Sequence, residues 1–385
     1  MTEMAVADDE TRDTSGPGPL AGVRVIELGM LLAGPFSGRL LGDMGAEIIK
    51  VEAPGKPDPL REWGHARYEG RSLWWPVQSR NKKCVTLNLR TKKGQALLLE
   101  LVKRSDVVVE NFRPGTLEKW NLGYERLSEV NPKIVLCRVS GYGQTGPYQS
   151  RAGFALVAEA MGGIRYINGT PGEPPPRMHI SLGDSLAGMF AAQGILAALY
   201  KRDALGFGQG QVVDVSLMES CFALLESAVP EYDRLGIIRE PGGTGIKGIA
   251  PSNIFKSKNG KWRAIAANAD NVFQRFCEAM EMPELSDDKR FSMHLARGKN
   301  QKELEEIVGL EEQLRVVRRA PRGDGQGELP AVPADVDETV VDVLELVSVE
   351  PIDLSVERDL HADGGRVAER GDACAGLRVE LLALG

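Results

Sequence analysis

Short β-branched segments alternate with helical segments between residues 23 and 139, and this alternation constrains the fold more than any other feature. Predicted strands occupy 23–28, 46–51, 85–89, 107–110 and 133–139, and predicted helices occupy 36–44 and 93–104. Strands that alternate with helices are typical of an α/β fold with a doubly wound, mostly parallel (Rossmann-like) sheet. Ligands of such sheets lie beyond the carboxyl ends of the strands, where the loops 31–35 and 111–115 are expected.

Asp184 stands at the start of a strongly apolar helical pattern. Apolar residues recur after it at spacings of three and four, at Leu186, Met189, Phe190, Ile195, Leu196 and Leu199. An aspartate at this position is predicted to be the N-cap, whose carboxylate accepts backbone N–H groups and stays ionised at the positive end of the helix dipole. The same carboxylate is a candidate nucleophile, and the local sequence does not decide between the two roles.

The composition excludes several classes of function. The net charge of −7 argues against a nucleic-acid surface. Five scattered cysteines without a CxxC motif, and four separated histidines, argue against a disulfide framework and against a metal site. The apolar run within 186–200 is broken by Gln193 and is too short to span a bilayer. The sequence therefore predicts a cytoplasmic protein that binds neither nucleic acid nor membrane.

One motif favours a nucleotide-dependent oxidoreductase instead. Residues 141–146 have the spacing GxGxxG after a predicted strand, and Glu52 ends an earlier strand. The dinucleotide fingerprint needs its glycines and its acid in one strand–loop–helix–strand unit, with the acid after the glycines. Here Glu52 precedes the glycines by many residues, and no apolar helical stripe follows Gly146. The dinucleotide reading is therefore the weaker alternative.

A series of short motifs occurs in the order found in one enzyme family. The motifs are Gly22–Glu27, Ala33–Pro35, Leu41–Glu52, Asn81–Lys83, Glu110–Gly115, Gly141–Pro147, Leu182–Asp184, Gly208–Leu217, Ile249–Pro251 and Asp288–Phe291. Over roughly residues 20–308 the chain resembles the class III CoA-transferases, the carnitine and bile-acid CoA-transferase type that includes formyl-CoA:oxalate CoA-transferase.

The resemblance implies a reaction and a nucleophile. CoA would pass from an acyl-CoA thioester to a carboxylic acid acceptor through a covalent intermediate on Asp184, first a mixed anhydride and then an aspartyl-CoA thioester. The glycine loop that closes over the site in this family corresponds to Gly242, Gly243 and Gly245; a plain flexible linker is the alternative for this stretch. A CoA thioester is the expected substrate, and no permanently bound cofactor or metal is expected.

The resemblance also implies the residues of a CoA cleft. These are Leu32, Ala33, Leu87, Asn88, Leu89, Arg90, Asn111, Phe112, Arg113 and Lys119. Arg90, Arg113 and Lys119 are the candidate partners of the CoA phosphates, because Arg and Lys bind phosphate by charge and hydrogen bonding. For each of the three, a solvated surface cation is the alternative interpretation.

Two departures from the family pattern bear on function. Racemases of the same fold carry Gly-His-Asp where this chain has Gly153-Phe154-Ala155. These side chains cannot move protons, so a 2-methylacyl-CoA racemase is disfavoured.

Residues 309–385 match no family pattern: no aromatic residue follows Phe291 and no lysine follows Lys302. This segment is interpreted as aberrant or out of frame, with a divergent extension as the alternative, and a catalytically impaired acyl-CoA-binding protein is therefore the second functional hypothesis.

The sequence predicts five regions and a homodimer. The regions are a disordered acidic tail (1–19), a large CoA-binding domain (20–215), a linker helix with a glycine-rich loop (216–252), a smaller α/β domain (253–308) and the atypical C-terminal segment (309–385). The resemblance implies an interlocked dimer, in which each chain threads the other, and the glycine-rich connections at 202–210 and 236–248 are long enough for such threading.

Overall fold

The computed structural model describes residues 18–256, 260 and 262–314. Its contacts divide into two compact units, one that ends at Ile246 and one that begins at Lys247. The predicted acidic tail lies outside the described residues except for Gly18 and Pro19, which belong to a turn in which the N–H of Ala21 bonds the carbonyl of Gly18. Residues 315–385 of the predicted C-terminal segment also lie outside them.

The first unit contains eight strands and ten α-helices among its described residues. The strands are β1 (Arg24–Glu27), β2 (Glu47–Glu52), β3 (Arg67–Tyr68), β4 (Arg71–Ser72), β5 (Lys82–Thr86), β6 (Val107–Glu110), β7 (Val135–Ser140) and β8 (Val212–Ser216). The helices are α1 (Ala33–Asp43), α2 (Trp74–Ser79), α3 (Lys92–Val102), α4 (Thr116–Lys119), α5 (Tyr124–Val130), α6 (Ala155–Met161), α7 (Ile164–Ile167), α8 (Leu182–Asp203), α9 (Leu217–Phe222) and α10 (Ala228–Leu235). A 3-10 turn covers Pro59–Glu62.

Six of these strands form one parallel sheet in the order β5-β2-β1-β6-β7-β8. Counted along the chain, this is the doubly wound order 3-2-1-4-5-6, in which the direction of winding reverses between β1 and β6. The α/β class and the parallel sheet that the sequence predicts are confirmed. The order also locates the switch point, because the loops after β1 and β6 lie side by side at the carboxyl edge of the sheet.

Alternate residues of the central strands face two separate cores. Val25, Val107 and Val109 pack with α1 and α8 on one face, whereas Ile26 and Val108 pack with α3, α4 and α5 on the other. A strand that is covered by helices on both faces is apolar at successive positions. This is why these strands could be recognised in the sequence. The fold therefore buries both faces of the sheet.

Predicted and observed elements differ mainly at their ends. The third strand of the sheet, β5, is Lys82–Thr86 rather than 85–89, so residues 87–90 follow the strand as a loop instead of belonging to it. Helix α1 begins at Ala33, ahead of the predicted 36, and Pro35 is accommodated because a helix needs no N–H bond in its first turn. As a result, the loop 87–90 and the first turn of α1 both lie at the carboxyl edge of the sheet.

Helix α8 is the central helix of the first unit. It packs on α1, α9, β7 and β8, and its small residues Ala187, Ala191, Ala192 and Ala198 are buried in one core cluster with the sheet. Among the described helices it is the one whose length and apolar character would suffice to cross a membrane, with a mean hydropathy of 1.4 over 18 residues. Of that stretch, 44% is buried inside the structure, which is typical of a core helix as well as of a membrane span.

The second unit is built on an antiparallel pair of strands. Its elements are β9 (Ser252–Lys256), β10 (Trp262–Ala266), α11 (Asp270–Ala279), α12 (Glu284–Asp287), α13 (His294–Lys299) and α14 (Gln301–Leu314). Phe273 and Phe291 fill its core, and the buried guanidinium of Arg297 donates to the carbonyl oxygens of Phe291 and Asn268, both at 2.8 Å. The predicted strand at 262–266 is confirmed. Helix α9, which lies in the predicted linker 216–252, packs on α6 and α8.

Candidate active site

The loop after β1 is fixed across the switch point by Asn111, which follows β6. The Asn111 side chain accepts a hydrogen bond from the N–H of Met30 and donates one to the Met30 carbonyl, both at 2.8 Å. Leu31 adopts a positive φ of 63°, which is strained for a residue with a branched side chain. Its N–H donates to both carboxylate oxygens of Asp58, at 3.1 and 3.2 Å. The loop is therefore held rigidly at its two central residues.

A buried network of charged side chains also contacts the loop after β1. Lys50 is 1% exposed and pairs with Glu27 at 3.0 Å and with Asp58 at 2.9 Å, and it donates to the carbonyl of Gly29 at 2.8 Å. Burial lowers the pKa of Lys50, but the two carboxylates outweigh burial and the net pKa is raised. Lys82 pairs with the second oxygen of Glu27 at 2.8 Å. Buried charges persist only when they are paired in this way.

A cavity of about 330 Å³ opens between this loop and the segment after β5. Of the predicted CoA-cleft residues, it brings together Leu87, Asn88, Leu89, Arg90 and Phe112. Its other lining residues are Leu28, Met30, Val51, Glu52, Ala53, Pro54, Lys56, Asp58 and Trp120. Phe112 and Trp120 meet edge to face, with ring centroids 5.3 Å apart. The lining of the cavity is mostly apolar and includes two cations, Lys56 and Arg90, and two acids, Glu52 and Asp58.

The remaining predicted cleft residues lie outside the lining of this cavity. Leu32 and Ala33 are 5% and 4% exposed at the start of α1, and Asn111 is engaged by Met30. Arg113 and Lys119 are exposed on the segment that follows β6. Within the described residues, no carboxylate pairs with Arg90, Arg113 or Lys119. These three side chains are therefore available to an anionic ligand that extends along the carboxyl edge.

Asp184 is the third residue of α8 rather than its N-cap. The N-cap residue is Ser181, and its side chain makes no capping hydrogen bond. The prediction that the Asp184 carboxylate caps the helix was wrong, because another acid occupies this helix end: Oε1 of Glu159, on α6, accepts the N–H of Gly183 at 3.1 Å. Among the described residues, none donates a hydrogen bond to Asp184.

The electrostatic environment of Asp184 also differs from that of a cap. Burial, followed by the negative charge of Glu159, raises the pKa of Asp184 to about 6, and the positive charge of Arg177 opposes this rise. The pKa of a capping aspartate would instead be depressed by its hydrogen bonds. At neutral pH the carboxylate is mostly ionised, but burial and the charge of Glu159 disfavour its ionised form.

Helix α8 packs closely on α1 one turn after Asp184. Gly188 follows Asp184 by four residues and so shares its face of the helix. A Cβ on Gly188 would lie 2.9 Å from the carbonyl oxygen of Ala33 and 2.8 Å from the ring of Phe36, so α8 and α1 touch closely at this point. The helix that carries Asp184 therefore packs closely on α1, which the Leu28–Leu32 loop precedes.

The predicted glycine loop is attached to the segment after α7. The N–H of Gly243 donates to the carbonyl of Gly169 at 2.9 Å, and Gly243 has a φ of 73°, a region that favours glycine. Gly242 is tightly placed, since a Cβ there would lie 2.9 Å from the carbonyl oxygen of Gly245. The three glycines therefore form a narrow turn of backbone, and their closure over the site remains a prediction.

Sequence reasoning missed several residues of this site. Glu27, Lys50 and Asp58, which fix the loop, were not singled out, and neither was Glu159, which caps α8. A signal was present for Glu27 and Lys50, because each is a charged residue inside an otherwise apolar strand of a sheet that is buried on both faces. No comparable signal was available for Glu159.

A six-stranded, doubly wound sheet with a carboxylate at the start of a central helix defines the class as a Rossmann-like α/β protein. Residues 20–320 match the model of the CoA-transferase family III, so the chain belongs to this family. The match runs past the predicted limit of 308. Solved structures agree: a CAIB/BAIF family protein from Brucella suis has a TM-score of 0.66 at 33% identity, covering 77% of this chain and 78% of that one. Rv3272 from Mycobacterium tuberculosis has a TM-score of 0.67 at 30% identity, covering 78% and 80%.

Several curated relatives are named CoA-transferases. The chain is 56% identical over 292 residues to a succinyl-CoA–D-citramalate CoA-transferase of Chloroflexus aurantiacus, covering 76% of this chain and 72% of the relative. It is 46% identical to the alpha subunit of a succinyl-CoA–L-malate CoA-transferase of the same species, covering 71% and 64%. It is 36% identical to the human succinyl-CoA:glutarate CoA-transferase, covering 77% and 67%. The chain thus matches about two thirds of the length of these relatives.

Proposed function

We propose that this chain transfers CoA from succinyl-CoA to a dicarboxylic acid, with Asp184 as the covalent nucleophile. The observation that carries the proposal is the state of the Asp184 carboxylate, which lies half-buried in the first turn of α8, without a hydrogen bond from the described residues, and with its pKa raised to about 6. A carboxylate that neither caps its helix nor pairs with a cation retains its lone pairs for attack. Such a group is a poor structural element but a suitable nucleophile.

The reaction consists of exchanges at two carbonyl carbons. A carboxylate oxygen of Asp184 attacks the thioester carbon of succinyl-CoA; a C–O bond forms, the C–S bond breaks, and CoA leaves as its thiolate. The thiolate then attacks the Asp184 acyl carbon, which gives an aspartyl-CoA thioester and releases succinate. The acceptor carboxylate repeats the first step on this thioester, and the thiolate finally attacks the acceptor carbon and restores Asp184. No water or proton is consumed in the cycle.

The dicarboxylic substrate class follows from the relatives and from one cation. The relatives are named for succinyl-CoA and for citramalate, malate or glutarate, all of which carry a second carboxylate. Arg177 is exposed, and within the described residues it has no ion-pair partner, yet its charge acts on Asp184. We assign it to the distal carboxylate of donor and acceptor, because a guanidinium binds carboxylate by two parallel hydrogen bonds.

The CoA moiety would lie along the carboxyl edge of the sheet. The apolar cavity beside Phe112 fits the neutral part of the molecule, and Arg90, Arg113 and Lys119 would pair with its phosphates. A family III homodimer in the cytoplasm is the assembly and location that we propose. Two of the relatives, in contrast, are named as alpha and beta subunits.

The experiment is a transfer assay with an acceptor panel. Purified full-length chain is incubated with succinyl-CoA and with D-citramalate, L-malate, glutarate or butyrate, and CoA thioesters are separated by liquid chromatography. We expect transfer to one or more dicarboxylates and little to butyrate, and we expect Arg177→Gln to raise KM for the dicarboxylates. Trapping with hydroxylamine followed by peptide mapping should modify Asp184. Binding of succinyl-CoA without transfer to any acid would instead identify an impaired acyl-CoA-binding protein.

A further inference from the structure

Glu159 is a buried acid beside the nucleophile that the reaction cycle above does not use. It is 6% exposed; Oε1 accepts the N–H of Gly183 at 3.1 Å, and Oε2 pairs with Nη1 of Arg165 at 3.3 Å. Gly183 packs directly on it, because a Cβ on Gly183 would lie 3.3 Å from Cγ of Glu159. Both carboxylate oxygens are thus fixed, next to the residue that precedes Asp184.

The position of Glu159 determines what Asp184 can bond. The first N–H groups of a helix have no partner within the helix and attract any nearby carboxylate. Glu159 comes from α6 and takes the N–H of Gly183, although Asp184 is the acid that belongs to this turn. The Gly183 N–H is therefore not available to the Asp184 carboxylate, which accepts no hydrogen bond from the described residues.

We propose that Glu159 is a positioning residue for CoA transfer: it occupies the start of α8 in place of Asp184, and its negative charge favours the acylated, uncharged forms of Asp184 over the free carboxylate. The inference rests on the proposed function. When Asp184 is acylated, its negative charge leaves first with the CoA thiolate and then, after the thiolate returns, with succinate. One of two adjacent like charges disappears, so the aspartyl-CoA thioester relieves a repulsion that the free enzyme contains.

The charged groups around Asp184 allow this effect to be isolated. Among the described residues, the charges that act on Asp184 are Glu159 from α6, which disfavours its ionised form, and Arg177 from the preceding segment, which favours it. Cys221 on α9 is nearby, but burial and the two carboxylates raise the pKa of its thiol to about 11, so it stays neutral between pH 5 and 8. The acid side of the pH profile therefore reports the Glu159–Asp184 pair.

The test uses Glu159→Gln, which keeps a side-chain oxygen for the Gly183 N–H but removes the charge. Each protein is incubated with a fixed ratio of succinyl-CoA to succinate and no acceptor, and the fraction carrying CoA is measured by intact mass spectrometry. We expect the equilibrium constant for the adduct to fall about tenfold, the factor that corresponds to one pH unit of interaction. The acid limb of kcat/KM, near pH 6 in the unmodified chain, should move to lower pH.

Two further variants make the result specific. Glu129→Gln is the matched control, because Glu129 is an exposed acid whose ion pair with Arg126 on α5 is also a Glu–Arg pair, and it should change neither quantity. Arg165→Gln keeps the charge of Glu159 and should leave the acid limb at or above its position in the unmodified chain; it also serves if Glu159→Gln fails to fold.

The outcomes separate this inference from the proposed function. An unmodified chain that forms no CoA adduct on Asp184 would overturn both. An unmodified chain that forms the adduct, together with a folded Glu159→Gln variant of equal adduct fraction and equal acid limb, would overturn the role of Glu159 alone. A downward shift of the acid limb in Arg165→Gln would also contradict it.

Discussion

Replacing Asp184 by asparagine should stabilise the protein while it abolishes transfer. The pKa of Asp184 is raised from 3.8 to about 6, and burial is the largest cause. Each unit of pKa corresponds to 1.36 kcal/mol, so the ionised carboxylate costs the folded state about 3 kcal/mol at neutral pH. An asparagine of nearly the same shape carries no charge, and the N-terminus of α8 keeps its cap because that cap is Glu159.

The stability gained by Asp184→Asn should depend on pH, and the direction of this dependence follows from the raised pKa of Asp184. A carboxyl group whose pKa is higher in the folded than in the unfolded chain binds its proton more tightly when folded, so its favourable contribution is complete below the unfolded pKa and is lost as pH rises through the folded pKa. The difference between Asp184→Asn and the unmodified chain should therefore be close to zero near pH 4, grow up to about pH 6, and stay constant above pH 7.

Urea unfolding followed by tryptophan fluorescence measures this difference, since four of the five tryptophans lie in the first unit. Asp106→Asn is the matched control: Asp106 accepts the N–H of Arg24 at 2.8 Å and pairs with Arg202 at 3.0 Å. Its replacement should destabilise the unit by about 2 kcal/mol, because the buried Arg202 guanidinium loses one of its two carboxylate partners and keeps only Asp203.

Two results would refute the reasoning about Asp184. An Asp184→Asn variant that is less stable than the unmodified chain at pH 7 would show that the carboxylate stabilises the fold as an ion, as a helix cap does. A stability gain that does not change with pH would show that shape, and not charge, is responsible. Near-normal transfer by the variant would remove Asp184 from the role of nucleophile, because an amide forms neither the anhydride nor the thioester.

Three further predictions follow from the same geometry. The value of kcat/KM should fall as pH is lowered through about 6, since protonation removes the nucleophile, and a profile flat to pH 5 would contradict this. Gly38→Ala should destabilise the first unit by about 3 kcal/mol in urea unfolding, because the added Cβ would clash with Oε2 of Glu27 in a packed core; an unchanged midpoint would contradict it. Arg90→Gln should raise KM for succinyl-CoA about fivefold with kcat unchanged, and Lys93→Gln on α3, an exposed cation outside the cavity lining, should leave both constants unchanged.

The sequence predicts the sheet well because its signal is local. In β6, Val107–Glu110, three β-branched valines are buried on both faces, and the observed bounds equal the predicted ones. The end of β5 is less predictable, because an edge strand stops where its parallel neighbour β2 stops pairing and not where its own apolar residues end. That shift matters for function, since it turns residues 87–90 into a loop that lines the cavity.

The loop after β1, which borders the cavity, is held by contacts between residues that are far apart in the sequence, and the sequence alone does not predict which of them pair. Lys50 and Glu27 are 23 positions apart, and Lys82 is farther still, yet all three meet under the loop after β1. A charged residue in a buried strand predicts that some partner exists, but it does not predict which one, because the partner is selected by strand order. The sheet order β5-β2-β1 brings the three residues onto adjacent strands.

The environment of Asp184, the proposed nucleophile, also depends on residues that are distant in the sequence. The helical pattern places Asp184 at the start of a helix, and this position favours a capping role. Whether Asp184 caps the helix depends on whether the carboxylate of another residue accepts the hydrogen bonds of the first N–H groups. Glu159, which lies on a separate helix, takes the N–H of Gly183 and leaves Asp184 unbonded within the described residues. A carboxylate that capped its own helix would be stabilised as an ion, with a low pKa, and would attack a thioester less readily. This arrangement agrees with the proposed role of Asp184 as the nucleophile, because Glu159, and not Asp184, accepts the Gly183 N–H.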